Sequence, residues 1–242
     1  MAIIDFSFAL EHLPEVLKGV PATLAIAFVA MVFGLFFGLL IALCRIYKTP
    51  VLNQLSILYI SFIRGTPLIV QLYVLFYGLP VLFDFLNPQF GWNLNADSIH
   101  PLLIAFVAYT INTSAYQAEI VRGSINAISA GQMEAAHSVG MTTAQGLYRI
   151  ILPQAFKVAL PDLGNTFINL LKGTSVAFAV KVVEILAISR IIANDGYRFL
   201  EMYLVASLLY WLLSWFFEII FTRVEKRVGR FESSVHQEAK AV

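Results

Sequence analysis

The chain has 242 residues, of which 59% are hydrophobic and only 13% charged, with a formal net charge of +1. Soluble domains carry about a quarter charged residues, so this composition excludes an ordinary soluble protein and describes an integral membrane one. The near-neutral balance gives no case for nucleic acid, and the lone Cys44 excludes an intrachain disulfide.

The N-terminal residues carry acids and no early positive charge, unlike a cleaved signal peptide. Residues 5–18 mix apolar side chains (Phe6, Phe8, Leu10, Leu13, Val16, Leu17) with charged ones (Asp5, Glu11, Glu15, Lys18). They predict a short amphipathic helix along the membrane surface, making residues 1–19 a unit of their own. Val20–Cys44 has no charge and is long enough for a first span, 20–44. Its Gly34 and Gly38 form a small-xxx-small pair, which either lets another helix approach closely or reflects how common glycine is in membrane helices, the packing reading being favoured. Arg45 and Lys48 mark the end of this span as cytoplasmic.

A second span, 51–77, is interrupted by Arg64-Gly65-Thr66-Pro67. At 1.5 Å per residue, a helix from Val51 carries Arg64 roughly 20 Å into a core about 30 Å thick. An arginine at that depth must face protein or a wet cavity. Gly65 and Pro67 break the helix, and broken backbone at depth is tolerated where it lines a cavity or is buried in protein. A guanidinium beside freed backbone N–H groups can receive a carboxylate in bidentate fashion. The alternative is that Arg64 pairs with an acid such as Glu119 or Asp162, or snorkels to the surface.

Residues 79–98 contain no Lys or Arg, as expected outside. A third span covers 101–118, and the polar stretch Glu119–Pro153 follows inside: EIVRGSINAISAGQMEAAHSVGMTTAQGLYRIILP. It predicts two short helices joined at a fixed kink. Gly140 suits the left-handed position after the first, Thr142 with Gln145 forms a capping box for the second, and Pro153 helps to end it. A fourth span, 158–180, is interrupted by Asp162, Lys172 and Gly173. Its Asn165, Thr166 and Asn169 share one helical face, with Asp162 one turn before. Such a face either bonds neighbouring helices or lines a path. Lys172-Gly173-Thr174-Ser175 predicts a second break and lacks the pattern of a nucleotide-binding loop.

Residues 182–200 are mixed and predict an outer surface segment. A fifth span, 202–222, leads into Arg223, Lys226, Arg227 and Arg230, so 223–242 forms a basic cytoplasmic tail, polar and disordered from 232. The resulting fold class is an all-α integral membrane protein of five spans over 20–222, N-terminus out and C-terminus in. His12, His100, His137 and His236 show no metal-ligand spacing.

The polar stretch resembles the EAA loop of bacterial ABC importer permeases, with Glu134, Ala135, Ala136, Gly140, Ile150, Leu152 and Pro153 in register. Three further stretches are similar to the polar amino acid branch of that family: RGTPLIVQL at 64–72, AYQAEIVRG at 115–123 and LPDLGNTFINLLKGTS at 160–175. The resemblance runs from about residue 18 to residue 231. It implies a type I importer permease in the bacterial inner membrane, with the EAA loop as coupling helix. The partners it implies are two ATP-binding cassette subunits, a second permease subunit (identical or related) and an extracytoplasmic amino-acid-binding protein. ATP and magnesium would sit on the ATPase partners, so this chain would be no enzyme and hold no cofactor. Glu134, Ala135, Ala136 and Gly140 would couple to the ATPase. Arg64, Gly65, Thr66, Gln71, Asp162, Asn165, Thr166 and Asn169 would bind substrate.

Family members that take basic amino acids often place an acid directly after the asparagine matching Asn165. This chain has Thr166, which favours a neutral or zwitterionic substrate, cystine or glutamine, over a basic one; the alternative is that Asp162, one turn away, serves the amine or a basic side chain instead. The texture of ISFIRGTPLIVQLYVLFYGLP is closest to cystine permeases. An ion-coupled secondary transporter is the rival reading, but no inverted repeat is visible and Asp162 is the one carboxylate clearly placed within a span. A membrane hydrolase would need Ser/His, paired Asp or metal spacing within the spans.

Overall fold

The computed structural model describes residues 4–95 and 98–238, with side chains as far as 228. Parts of three expectations therefore lie outside the described residues: the start of the 1–19 unit, residues 96–97 of the outer loop and residues 239–242 of the tail. The described residues form ten α-helices and no strand. They are α1 (Phe6–Val16), α2 (Val20–Ile46), α3 (Leu52–Gly65), α4 (Leu68–Phe90), α5 (Pro101–Asn126), α6 (Ala130–Ser138), α7 (Thr143–Gly146), α8 (Leu152–Gly173), α9 (Ile185–Gly196) and α10 (Phe199–Glu238).

By length and apolarity, three helical stretches among the described residues can cross a membrane: Phe6–Ile46, Leu68–Phe90 and Phe199–Val228. Helices α5 and α8 have 26 and 22 residues, or ~39 and ~33 Å at 1.5 Å per residue, but carry more polar side chains. That is the composition of helices that face protein and water rather than lipid.

The centre is the pair α2 and α5. An added Cβ at Gly38 would lie 3.0 Å from the Ala118 backbone nitrogen and 3.1 Å from the Ser114 carbonyl oxygen, and one at Gly34 would lie 3.0 Å from Thr113 Cγ2. The glycine pair therefore lets two helix backbones meet, as the small-xxx-small spacing predicts. Gly38→Ala places a methyl against backbone that cannot swing aside. It is expected to cost ~1–3 kcal/mol and lower the unfolding temperature of the detergent-purified protein, as followed by thermal unfolding. An unchanged midpoint would contradict this packing.

Helices α3 and α4 run in succession along α5, antiparallel to it. Ile60 and Ile63 of α3 pack with Ala115 and Ala118, and Leu72 of α4 packs further back along α5 with Ala105, Ala108 and Tyr109. On the other side, Phe167, Leu170 and Leu171 of α8 complete the same core with Ile26, Ala27 and Ala30 of α2. Helix α10 crosses α8 where Gly164 admits the ring of Phe221.

Several expectations are corrected. Helix α1 is amphipathic, but its apolar side packs against protein: Phe8, Ala9, Leu13 and Val16 join Ile185, Ile192, Met202 and Val205 from α9 and α10. The 3₁₀ turn Leu17–Gly19 fits closely there, since a Cβ on Gly19 would lie 2.5 Å from the Ile185 nitrogen. Residues 182–200, expected at the outer surface, contain α9, with Ile185, Ile192 and Ala193 buried against the rest of the chain. Glu184 caps it, accepting from the Leu186 and Ala187 backbone N–H groups and from the Tyr210 hydroxyl.

Helix α4 passes through the predicted outer loop as far as Phe90, holding Pro80 and Pro88, and stops where Gly91 turns left-handed at φ +64°. Pro153 does not end a helix. A π-helical turn, Leu147–Ile151, joins α7 to α8, and Pro153 sits in the first turn of α8, where proline loses no hydrogen bond. Helix α8 becomes 3₁₀ over Thr174–Val180, the predicted second break. The tail from 232, expected to be disordered, continues α10 as helix to Glu238.

Candidate functional site

The break between α3 and α4 has extended backbone at Thr66 (φ −118°, ψ 142°) and Pro67 (φ −64°, ψ 139°). Breaking a helix strands carbonyls on one side and N–H groups on the other. Gln71 serves the carbonyl side. Its Nε2 donates to the carbonyl oxygens of Ile63 (2.9 Å) and Thr66 (3.2 Å) and to Thr66 Oγ1 (2.8 Å). Its Oε1 accepts from Asn112 of α5 at 3.0 Å, which ties the break to the central helix. The Thr66 hydroxyl donates to the Phe62 carbonyl. The N-terminus of α4 has no side-chain cap, so its first amides remain available.

This break forms one wall of a cavity of ~570 Å³. Arg64, Gly65, Thr66, Pro67 and Leu68 line that side, and Tyr109, Asn112, Thr113 and Tyr116 of α5 line the next. Thr166, Asn169, Leu170 and Gly173 of α8 complete it. The Tyr109 hydroxyl donates to the Gly173 carbonyl at 2.8 Å, closing α5 onto the end of α8. Arg64 stands over the Tyr116 ring, 5.3 Å from its centroid.

Neither acid considered as a partner for Arg64 takes it. Glu119 is held by Arg45 of α2 and by Arg122, whose Nε and Nη2 reach Glu119 Oε2 at 3.1 and 2.7 Å. Among the described residues Arg64 makes no ion pair, and no carboxylate lines the cavity. Its wall is therefore cationic at one point and neutral elsewhere.

Of the predicted binding residues, Arg64, Gly65, Thr66, Thr166 and Asn169 meet at this cavity. Gln71 braces the break from behind. Asp162 and Asn165 lie exposed on α8 outside the lining, and the Asp162 carbonyl accepts from the Thr166 hydroxyl at 2.7 Å. The sequence reading missed the α5 wall, although Tyr109, Asn112, Thr113 and Tyr116 recur at helical spacing and so share one face.

The EAA stretch is a compact double helix. Gly140, at φ +82°, ends α6, with its N–H on the His137 carbonyl and the Met141 N–H on the Ala136 carbonyl. The Thr142–Gln145 capping box is present in both directions. Gly146 of α7 packs so closely on α6 that a Cβ there would lie 2.7 Å from Met133 Sδ. Ala136 is buried in this contact, whereas Glu134, Ala135 and Gly140 are exposed. Val139 and Tyr148, 73% and 75% exposed, add an apolar surface beside them.

Residues 30–230 match the family model described as binding-protein-dependent transport system inner membrane component. The chain belongs to this family.

It is 44% identical over 221 residues to a probable amino-acid ABC transporter permease protein of Vibrio harveyi, covering 91% of this chain and 93% of the relative. It is 35% identical over 240 residues to an L-cystine transport system permease protein of Bacillus subtilis, covering 96% and 98%. Its fold is similar to a crystal structure of an amino acid ABC transporter with histidines, at TM-score 0.78 and 34% identity over 93% of this chain and 99% of that one. The resemblance to importer permeases is borne out, and so is the all-helical fold class. The permease is an inner-membrane component.

Proposed function

We propose that this permease is the membrane subunit of an ATP-driven importer for a polar amino acid, and that the α3/α5/α8 cavity receives the amino acid. One observation carries the reading: an unpaired guanidinium, Arg64, stands beside uncapped α4 amides in a cavity without carboxylates. Every α-amino acid brings a carboxylate to such a place, and Asn112, Thr166 and Asn169 offer neutral polar contacts for the rest. A basic side chain would find no anion in the walls, whereas cystine or glutamine fits them.

Two ATPase subunits would dock on the exposed face of α6 and α7, an external binding protein would deliver substrate, and a second permease subunit would complete the pathway. ATP closure would then reorient five spans, with α3 and α4 counted as one bent span. The C-terminus would be cytoplasmic and the N-terminus outside.

Uptake tests the reading in vesicles holding this chain with its ATPase and binding protein, one labelled amino acid at a time: cystine, glutamine, histidine, arginine and glutamate. ATP-dependent uptake of cystine or glutamine is the expected result. Preference for arginine or histidine would overturn the neutral substrate, and uptake on an ion gradient without ATP would overturn the importer mechanism.

A further inference from the structure

We propose that the outward face of α10 is a docking surface for anionic phospholipid, with Arg223, Lys226 and Arg227 holding the headgroup and the tryptophans above them lying along the acyl chains. The inference needs the membrane location but no particular substrate.

Helix α10 divides lengthwise. One side is covered by the protein: Phe221 packs on Gly164 and Phe167, and Glu225 and Val228 face Lys157 and Pro161 of α8 across a crevice. The opposite side is covered by nothing among the described residues. There Trp211, Trp215 and Phe216 are 62%, 53% and 55% exposed, and Arg223, Lys226 and Arg227 are exposed as well. Spacings of three, four, seven and eight residues keep all six on one face. A single helix face thus reads apolar and aromatic, then the exposed acid Glu218, then three cations.

The depths agree with a bilayer leaflet. The cluster of Asp5, Arg198 and Glu201 marks one polar boundary of α10, with Arg198 bridging the two acids. From Phe199 to Phe216 the helix rises ~26 Å, close to the ~30 Å hydrocarbon core. Glu218 is the next charged residue and is exposed, so the polar boundary at this end falls just beyond Phe216. Arg223, Lys226 and Arg227 then lie ~10–16 Å past Phe216. Their stems are long enough to reach back toward the phosphates. Three cations against one exposed acid, Glu218, on the uncovered side, with Glu225 turned toward α8, leave a net positive end that selects an anionic headgroup over a zwitterionic one. A protein partner reading only the cationic end would not call for the apolar stripe to continue it.

The chain supplies its own reporters. Of its three tryptophans, Trp211 and Trp215 lie on this face, and Trp92→Phe removes the third. The full chain is reconstituted in vesicles of equal phosphatidylglycerol and phosphatidylcholine, with acyl-chain bromine carried by one lipid or the other. Tryptophan quenching is expected to show about a fivefold local enrichment of phosphatidylglycerol, reduced in 1 M salt. The combined Arg223→Gln, Lys226→Gln and Arg227→Gln variant is expected to lose the enrichment. Arg223→Lys with Arg227→Lys is expected to keep it, which separates charge from folding. Equal quenching by the two lipids in the unmodified face overturns the proposal, as does enrichment that survives the glutamine variant. Equal quenching joined to loss of ATPase co-purification in the glutamine variant would assign the face to the ATPase instead.

Discussion

Uptake by an Arg64→Ala variant is expected to fall roughly 100- to 1,000-fold at low substrate while the protein still reaches the membrane. The reason is the isolation of Arg64. Glu119 is already neutralised by Arg45 and Arg122, so removing Arg64 strands no buried acid and breaks no ion pair in the fold. What is lost is a pair of charge-assisted hydrogen bonds to substrate, each contributing ~1.5–3 kcal/mol; in the lower half of that range the pair is worth about two to three decades in affinity. Arg64→Lys keeps the charge but not the fork, and is expected to retain a measurable part of the uptake. Tyr116 gives a second check, since the guanidinium stands over its ring. Uptake by Arg64→Ala within about threefold of the unmodified protein would remove the guanidinium from the substrate path. Loss of the protein from the membrane would instead make Arg64 a structural residue.

Gly140→Val is expected to abolish uptake while the assembled transporter continues to hydrolyse ATP. Gly140 stands at φ +82° with nothing within 4 Å of where a Cβ would project, so the penalty is backbone strain rather than collision. A β-branched residue there costs on the order of 1–3 kcal/mol, more than the short turn between α6 and α7 can absorb unchanged. The chain relieves the strain by opening that turn, which separates Met133 from Gly146 and turns the exposed face of Glu134, Ala135, Val139 and Tyr148. Force from the ATPase would then no longer reach α8 through the π-helical turn. Gly140→Asn is the control, because asparagine visits the left-handed region at low cost; it is expected to keep most of the uptake. The measurement is uptake and ATP hydrolysis in the same vesicles. Full uptake by the valine variant would show that the turn geometry does not carry coupling.

The features legible from sequence are those encoded within a few residues. Gly140, the Thr142–Gln145 capping box and the interruption at Gly65 and Pro67 each state a local backbone requirement, and each appears as read. The Gly34–Gly38 pair was legible for a related reason: small residues one turn apart mark where a helix can be approached, although they do not name what approaches. The neighbour proved to be Thr113, Ser114 and Ala118 of α5.

What failed depended on neighbours. Proline at 153 is compatible with either the end or the beginning of a helix, and only the π-helical link to α8 decided that it begins one. Pro80 and Pro88 lie inside α4, which continues to Phe90. Glu119 was an open partner for Arg64 until the fold placed Arg45 beside it. The face of α8 bearing Asn165, Thr166 and Asn169 was correctly seen as polar. Its division into lining residues (Thr166, Asn169) and an outward one (Asn165) was set by how α8 is rotated against α2, α5 and α10. Rotation costs no local conformational energy, so nothing in a helix's own sequence specifies it beyond the width of its apolar stripe.

The sequence by itself thus determined the class, the breaks and the turn of the coupling stretch, because torsional preferences and transfer of apolar groups from water act residue by residue. The tertiary structure alone decided which polar groups meet. It brought Tyr109, Asn112 and Tyr116 to the cavity, paired Glu119 with Arg45 and left Arg64 without an acid. Those pairings span 41 to 74 positions of chain, distances over which only the packing of helix against helix can bring two side chains together.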